Sequence, residues 1–213
     1  MRISAVRRQS GATVLEFTLS LTVLIPLLLG TYVFGFRLVR NQQTDQITRD
    51  LAHMYSRGVD FTQSGAATEA SDLANQFGLT STGNSVAIFS TITLETSTAC
   101  HAATGSNNCT NLNKPVFTQQ VAIGNASANG SAYGTPTSNG SLPATSGVSN
   151  DYSTTVSATA QATNTWAVAY NFGSVLTLTS GEITYMVEMF NNTPDLSIPG
   201  LTGSPQVYSR AIF

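Results

Sequence analysis

The chain has 213 residues, which is room for one membrane anchor and one domain of modest size. Charged residues make up 9% of it, against about 25% in an ordinary soluble domain, and uncharged polar residues take their place. Nine Lys and Arg against eleven Asp and Glu leave no basic surface of the kind that nucleic-acid binding needs. The composition suits an extracytoplasmic protein.

The first predicted element is an apolar helix. From Phe17 to Phe36 no residue is charged, and 20 residues of helix span the hydrocarbon core of a bilayer, about 30 Å. Arg2, Arg7 and Arg8 precede this span with no acidic residue between them, whereas Asp45 and Asp50 dilute the basic residues that follow it. The positive-inside rule therefore predicts a single-pass protein with a cytoplasmic N-terminus and an extracytoplasmic C-terminal domain.

Three kinds of N-terminal segment compete for this span. A cleaved secretory signal has an apolar core of about 7–15 residues followed by small residues, but this core is longer and the small residues precede it. A twin-arginine signal requires apolar residues after the arginine pair at positions 7 and 8, where polar residues stand instead. A plain signal anchor accounts for everything except Glu16, a lone carboxylate at the mouth of the span.

The residues directly before the apolar span form a short pattern. Gly11 is followed by Ala12 and three more residues, then by Glu16, Phe17 and the apolar helix. With this pattern the chain resembles the TadE-like pseudopilins, minor pilin-like proteins of the tight-adherence (Tad/Flp) type IV pilus systems, which carry it after a short basic leader. The resemblance is weaker at residues 181–190 and 207–213, and it leaves the middle of the chain uncovered.

The resemblance implies a prepilin-type leader, residues 1–11, that a prepilin peptidase removes between Gly11 and Ala12. Glu16 and Phe17 would form the motif for processing and assembly, with Glu16 pairing to the α-amine of Ala12 in its own chain or in the next subunit. The alternative for Glu16 is a place in the headgroup zone, where it only helps to start the helix. The implied partners are the prepilin peptidase, the Flp-type pilin and other pseudopilins, the inner-membrane platform, the secretion ATPase and membrane lipid, with no nucleic acid. The implied location is the bacterial inner membrane, with extraction into a pilus left open.

Beyond the span, apolar residues recur at spacings of three, four and seven, which is one face of a helix. They are Leu38, Val39, Ile47, Leu51, Met54 and Tyr55. The pattern predicts one helix from about Thr13 to Arg57, ended by Gly58. A second, shorter helix is predicted from Thr68 to Phe77, closed by Gly78.

Four apolar, β-branched segments predict strands at residues 86–94, 116–123, 183–190 and 207–213. Between the first two lie Cys100 and Cys109, the only cysteines of the sequence. Outside the cytoplasm they are expected to form a disulfide, and two free buried thiols are the alternative. His101 has no second His and no C-x-x-C spacing beside it, so a metal site is not indicated.

Three further segments carry weaker signals. Residues 125–150, rich in Gly, Ser and Asn, predict a long exposed loop or a partly disordered insertion. Residues 156–179 hold the aromatic cluster around Trp166, for which core packing is favoured over a ligand platform and strand and irregular structure both remain open. Glu182 and Glu188 stand six residues apart on a predicted strand, which places them on one solvated face.

Phosphate-binding loops, zinc-protease helices and the G-x-S-x-G nucleophile elbow are missing from the sequence, so we expect no enzyme, no cofactor and no metal. The predicted fold is α+β and pilin-like, with a transmembrane and amphipathic helix at 12–57 and a small antiparallel sheet domain at 58–213. The predicted function is that of a minor pseudopilin that assembles or primes a Tad/Flp pilus for surface attachment. The alternatives are a signal-anchored periplasmic binding protein and the main subunit of a pilin-like filament.

Overall fold

The computed structural model describes residues 10–127, 129–137, 152–194 and 206–213. The basic leader up to residue 9 and residues 128 and 138–150 of the predicted insertion lie outside the described residues. Residues 199–201, where the Pro-Gly pair predicts a turn, also lie outside them. The chain divides into an N-terminal unit that ends at Arg40 and a C-terminal unit from Asn41 to Phe213. Helix α1, Ser10–Ser56, contributes residues to both units.

The N-terminal unit is the apolar part of α1. Its apolar side chains are exposed, and by length and composition it is the one helix of the described residues that could cross a membrane. The Thr18 and Thr22 hydroxyls each donate to the carbonyl four residues earlier, at 2.7 and 2.8 Å, so these polar groups are satisfied within the helix, as a lipid environment requires. The helix continues through Pro26, as tolerated in membrane helices.

The predicted end of α1 is confirmed. The helix stops at Ser56, and Gly58 follows with a φ of +89°, its N–H donating to the carbonyl of Tyr55 at 3.0 Å. The predicted apolar stripe is right for the part of α1 in the C-terminal unit, where Ile47, Leu51 and Tyr55 are buried. It is wrong for Leu38 and Val39, which are exposed because they belong to the N-terminal unit.

The C-terminal unit is built on a five-stranded antiparallel sheet. Its strands are β1 Ser85–Leu94, β2 Pro115–Gly124, β3 Tyr152–Thr155, β4 Ile183–Asn192 and β5 Gln206–Ile212. They lie in the order β3-β2-β1-β4-β5, with Phe89 of β1 opposite Val121 of β2 and Val187 of β4. The four predicted strands are confirmed within a residue or two, and the fold is α+β as expected.

The described residues hold three short α-helices besides α1, one before β1 and two between strands. They are α2 Ser64–Leu73, α3 Ser97–Thr104 and α4 Ala158–Thr163. The predicted second helix begins four residues earlier than expected and is split, because a separate 3-10 turn, Asn75–Phe77, leads to Gly78. Gly78 adopts a φ of +65° and closes this segment as predicted. Helices α3 and α4 were not predicted; Thr96 and Ser157 cap their N-termini with side-chain oxygens.

One face of the sheet packs against α2 and the end of α1. Leu51 and Tyr55 of α1 meet Phe61 and Phe89, and the rings of the last two stack with centroids 4.1 Å apart. Burial of these aromatic and aliphatic side chains supplies the main hydrophobic stabilisation of this layer.

The other face of the sheet is covered by irregular chain, which corrects the expectation of an exposed loop for the described part of residues 125–150. Residues 129–137 do not form an exposed loop, since Tyr133 is buried with Phe172 and Met186 against the sheet. Residues 156–178 form α4 and two 3-10 turns and pack on the same cluster, with Trp166 half-buried beside it. Core packing is confirmed for Phe172 and Leu178, which are buried, whereas Tyr170 and Val175 are exposed. Both faces of the sheet are covered.

Candidate functional site

Helix α1 places the predicted processing residues along its first turns. Gly11 and Ala12 lie in the first turn, and Glu16 and Phe17 follow with exposed side chains. Residues i and i+4 share a face of a helix, and the Cα–Cβ bond tilts toward the N-terminus. Glu16 therefore leans over the turn that begins at Ala12. Of the four predicted residues, helix geometry relates Ala12 and Glu16, which are four residues apart, whereas Gly11 and Phe17 lie on other faces of the helix.

The charge environment of Glu16 is unusual for a helix of this composition. After Glu16, the next charged side chain along α1 is that of Arg37, more than five helical turns away. A carboxylate in this setting finds no counter-ion within the apolar stretch of its own helix. The arrangement suits a group that binds a cation supplied from the chain's N-terminus or from another molecule.

The predicted disulfide is confirmed. Cys100 of α3 bonds to Cys109 in the turn before β2, with their Cα atoms 5.9 Å apart. Cys100 is fully buried and Cys109 is half-buried. The bond closes the excursion between β1 and β2 into a small loop, which restricts the unfolded chain.

A carboxyl group that sequence reasoning missed lies beside this disulfide. Glu95 directly follows β1, is only 2% exposed, and has a carboxylate oxygen within 4.8 Å of both sulfur atoms. Its Oε1 is buried without a hydrogen-bond partner among the described residues, and burial raises the pKa of the carboxyl group. Both sulfurs are already bonded to each other, so the trio does not offer a metal site in this state.

The second buried acid, Glu188 of β4, corrects the expectation of a solvated face. It is fully buried and accepts hydrogen bonds from the Ser131 hydroxyl, the Ala132 N–H at 3.0 Å and the Tyr208 hydroxyl at 2.9 Å. Burial raises the pKa of Glu188, and these hydrogen bonds oppose that rise. Its role is to tie residues 129–137 and β5 to the middle of the sheet.

Glu182 does not share a strand face with Glu188, because β4 begins only at Ile183. It is exposed in the preceding turn, where the N–H and hydroxyl of Thr179 donate to its carboxylate at 2.8 and 3.0 Å. These hydrogen bonds lower the pKa of Glu182. The two acids therefore have opposite environments, which their spacing in the sequence did not indicate.

No protein-family model, no curated protein and no solved structure matches this chain. The similarity to TadE-like pseudopilins thus rests on the N-terminal residues themselves. The geometry adds one property to that motif, which is an exposed carboxylate one turn beyond Ala12, directly before the uncharged part of α1.

Proposed function

We propose that this chain is a minor pseudopilin, cut after Gly11 by a prepilin peptidase, that helps to assemble or prime a Tad/Flp pilus for surface attachment. The observation that carries the proposal is Glu16, an exposed carboxylate at the start of a membrane-length helix with no compensating charge in its apolar stretch.

In this proposal, the function of Glu16 follows from the free-energy cost of removing its carboxylate from water. A buried, unpaired carboxylate costs several kcal/mol, and a nearby ammonium group offsets that cost. Cleavage after Gly11 creates such a group, the α-amine of Ala12, one helical turn from Glu16. When the amine belongs to a neighbouring subunit, the ion pair fixes the axial register of the two helices.

The remainder of the chain fits a subunit held at a membrane by one helix. The α+β domain covers both faces of its sheet and carries a disulfide, which suits an oxidising extracytoplasmic compartment. The proposal therefore includes a cytoplasmic N-terminus in the bacterial inner membrane, with the Flp-type pilin, other pseudopilins, the platform and the secretion ATPase as partners.

The test replaces Glu16 by glutamine, which keeps the shape of the side chain and removes its charge. Glu16→Gln should enter the membrane at the wild-type level, and its incorporation into the pilus should be lost. Glu182→Gln is the matched control, because Glu182 is an exposed acid in the domain, and it should assemble normally. Mass spectrometry of the mature protein should place its N-terminus at Ala12.

Normal pilus assembly by Glu16→Gln would remove the assembly role from this residue. An uncut N-terminus together with no dependence on Glu16 would indicate a signal-anchored binding protein instead. Dominance of the chain in sheared surface fibres would indicate the main filament subunit.

A further inference from the structure

The backbone of Glu95 is fixed at the end of the sheet. Its N–H donates to the carbonyl of Lys114 at 3.0 Å, and its carbonyl accepts from the N–H of Asn113 at 2.8 Å. These two bonds continue the pairing of β1 and β2 by one residue beyond the strand ends. The Glu95 side chain starts from this fixed backbone, and its carboxyl group is buried beside the disulfide.

The burial of the Glu95 carboxyl group requires an explanation. A buried polar atom without a partner destabilises the folded state, and such atoms in native proteins mark functional or strained sites. Oε1 of Glu95 is such an atom among the residues that the structure describes, and both sulfur atoms of the disulfide lie within 4.8 Å of the carboxylate.

The two sulfur atoms differ in their access to solvent. Cys100 is fully buried in α3, whereas Cys109 is half-buried. An open cavity of about 500 Å³ lies next to Cys109 and is otherwise lined by hydroxyl and amide side chains. These are Thr104, Ser106, Asn108, Thr110 and Thr163. An external sulfur compound can therefore reach Cys109, while Cys100 faces the buried side.

We propose that Glu95 is the acid–base group for thiol–disulfide exchange at Cys100–Cys109, and that it speeds the closure of this disulfide. The co-reactant is an external disulfide, such as that of an oxidoreductase or of oxidised glutathione. The thiolate of Cys109 attacks one sulfur of the external disulfide, forms a mixed disulfide and releases the first external thiolate.

Closure is the step that needs a base. The Glu95 carboxylate takes the proton from the Cys100 thiol, and the resulting thiolate attacks the sulfur of Cys109. The Cys100–Cys109 bond forms, the mixed disulfide breaks and the second external thiolate leaves with the proton that Glu95 returns through solvent. Two electrons pass from the two cysteines to the external disulfide, which is reduced to two thiols. In the reverse direction the Glu95 carboxyl group protonates Cys100 as it leaves.

Burial explains why Cys100 needs this help. A thiol in apolar surroundings ionises less readily than in water, so closure would be slow near neutral pH without an adjacent base. Burial also raises the pKa of Glu95, which strengthens it as a proton acceptor once ionised. The other ionisable residues on the surrounding segments are His101 on α3, which is exposed, and Lys114, whose ammonium group donates to the carbonyl of Thr110 at 2.9 Å. Helix α4 carries no ionisable residue.

The test follows disulfide closure in the full chain in detergent. The protein is reduced, mixed with oxidised glutathione and quenched by alkylation at intervals between pH 6 and pH 10. Mass spectrometry then separates the mixed disulfide on Cys109 from the closed form. Closure in Glu95→Gln should be slower by about tenfold or more at pH 7. The difference should disappear near pH 10, where the thiol ionises without help.

Two variants serve as controls. Glu182→Gln removes an exposed acid and His101→Gln removes the imidazole next to Cys100, and both should close at the wild-type rate. Equal closure rates and pH profiles for the wild type and Glu95→Gln would overturn the proposal. If Glu95→Gln does not fold, the wild-type profile decides: a rate that rises about tenfold per pH unit until it levels at or above the ordinary thiol pKa of about 8.5 would follow an unassisted thiol and would also overturn the proposal. A rate that levels at a lower pH would support the proposal.

Discussion

Replacing Glu188 by alanine removes the acceptor that ties residues 129–137 to the sheet. Three donors lose their partner, namely the Ser131 hydroxyl, the Ala132 N–H and the Tyr208 hydroxyl. A hydrogen bond contributes about 1 kcal/mol net to stability, so three of them amount to about 3 kcal/mol. With a urea dependence of about 2 kcal/mol per molar, the midpoint of unfolding should fall by about 1.5 M.

The size of this loss depends on pH. Burial raises the folded-state pKa of Glu188 above the ordinary value of 4.5, so the folded protein holds this proton more tightly than the unfolded chain. The stabilisation is fully present below pH 4.5 and is lost as the pH rises through the folded-state pKa. The difference between wild type and Glu188→Ala is therefore largest in acid and shrinks as the pH rises through the folded-state pKa.

Urea unfolding of the full chain in detergent, followed by the fluorescence of Trp166, measures both the loss of stability in Glu188→Ala and the dependence of that loss on pH. Trp166 is the only tryptophan and packs on the cluster that residues 129–137 help to cover. Glu182→Ala is the control, because its pKa is lowered and its contribution has the opposite pH dependence. An unchanged midpoint for Glu188→Ala at pH 4, or a difference that grows with pH, would refute the reasoning.

Two further perturbations test the sheet and its helical layer. Gly124→Ala should destabilise the protein by more than about 1 kcal/mol in the same urea assay, because Gly124 has a φ of +100° and an added Cβ would lie 2.5 Å from the carbonyl oxygen of Ser85. Gly173→Ala, which meets no atom within 4 Å, should change little, and equal effects of the two would contradict the steric argument. Burial raises the pKa of Tyr55 to about 12 and also raises the pKa of Tyr208, so an absorbance titration should show at least two tyrosines that ionise later than the others. The buried neutral phenol of Tyr55, which lies 2.6 Å from the Thr91 hydroxyl, should stabilise the fold below pH 10 and lose that contribution as the pH approaches 12. A titration in which every tyrosine ionises near pH 10 would show that Tyr55 is not buried as described.

The sequence predicted the elements whose signals are local. The β-branched runs at residues 86–94 and 116–123 gave β1 and β2 almost to the residue, because strand propensity and turn residues agree there. Helix α1 followed from its uncharged run and its ending at Gly58. Helix α3 was missed because eight residues with few apolar side chains show no clear period, although Thr96 is a recognisable cap.

The buried acids could not be located in the same way. Alternation along β4 tells which residues share a face, but it does not tell whether that face is covered. The cover over Glu188 comes from residues 129–137, whose polar composition indicated an exposed loop. Likewise, Glu95 meets the sulfur atoms only because α3 folds back toward the end of β1. The relative positions of Gly11, Ala12 and Glu16 could be predicted from the sequence, because these residues lie on neighbouring turns of a single helix.

The strand order has a consequence for how the domain reaches its native state. Strand β1 lies at the centre of the sheet, and its partner β2 follows it closely, but its other partner, β4, comes roughly a hundred residues later. Until β4 arrives, β1 has an open hydrogen-bonding edge flanked by Val86, Ile88 and Phe89. Such long-range pairing is slow, and an unpaired apolar edge is prone to join the edge of another chain. The yield of folded domain should therefore depend on whether the unfolded chain is kept apart from other unfolded chains until β4 has paired with β1.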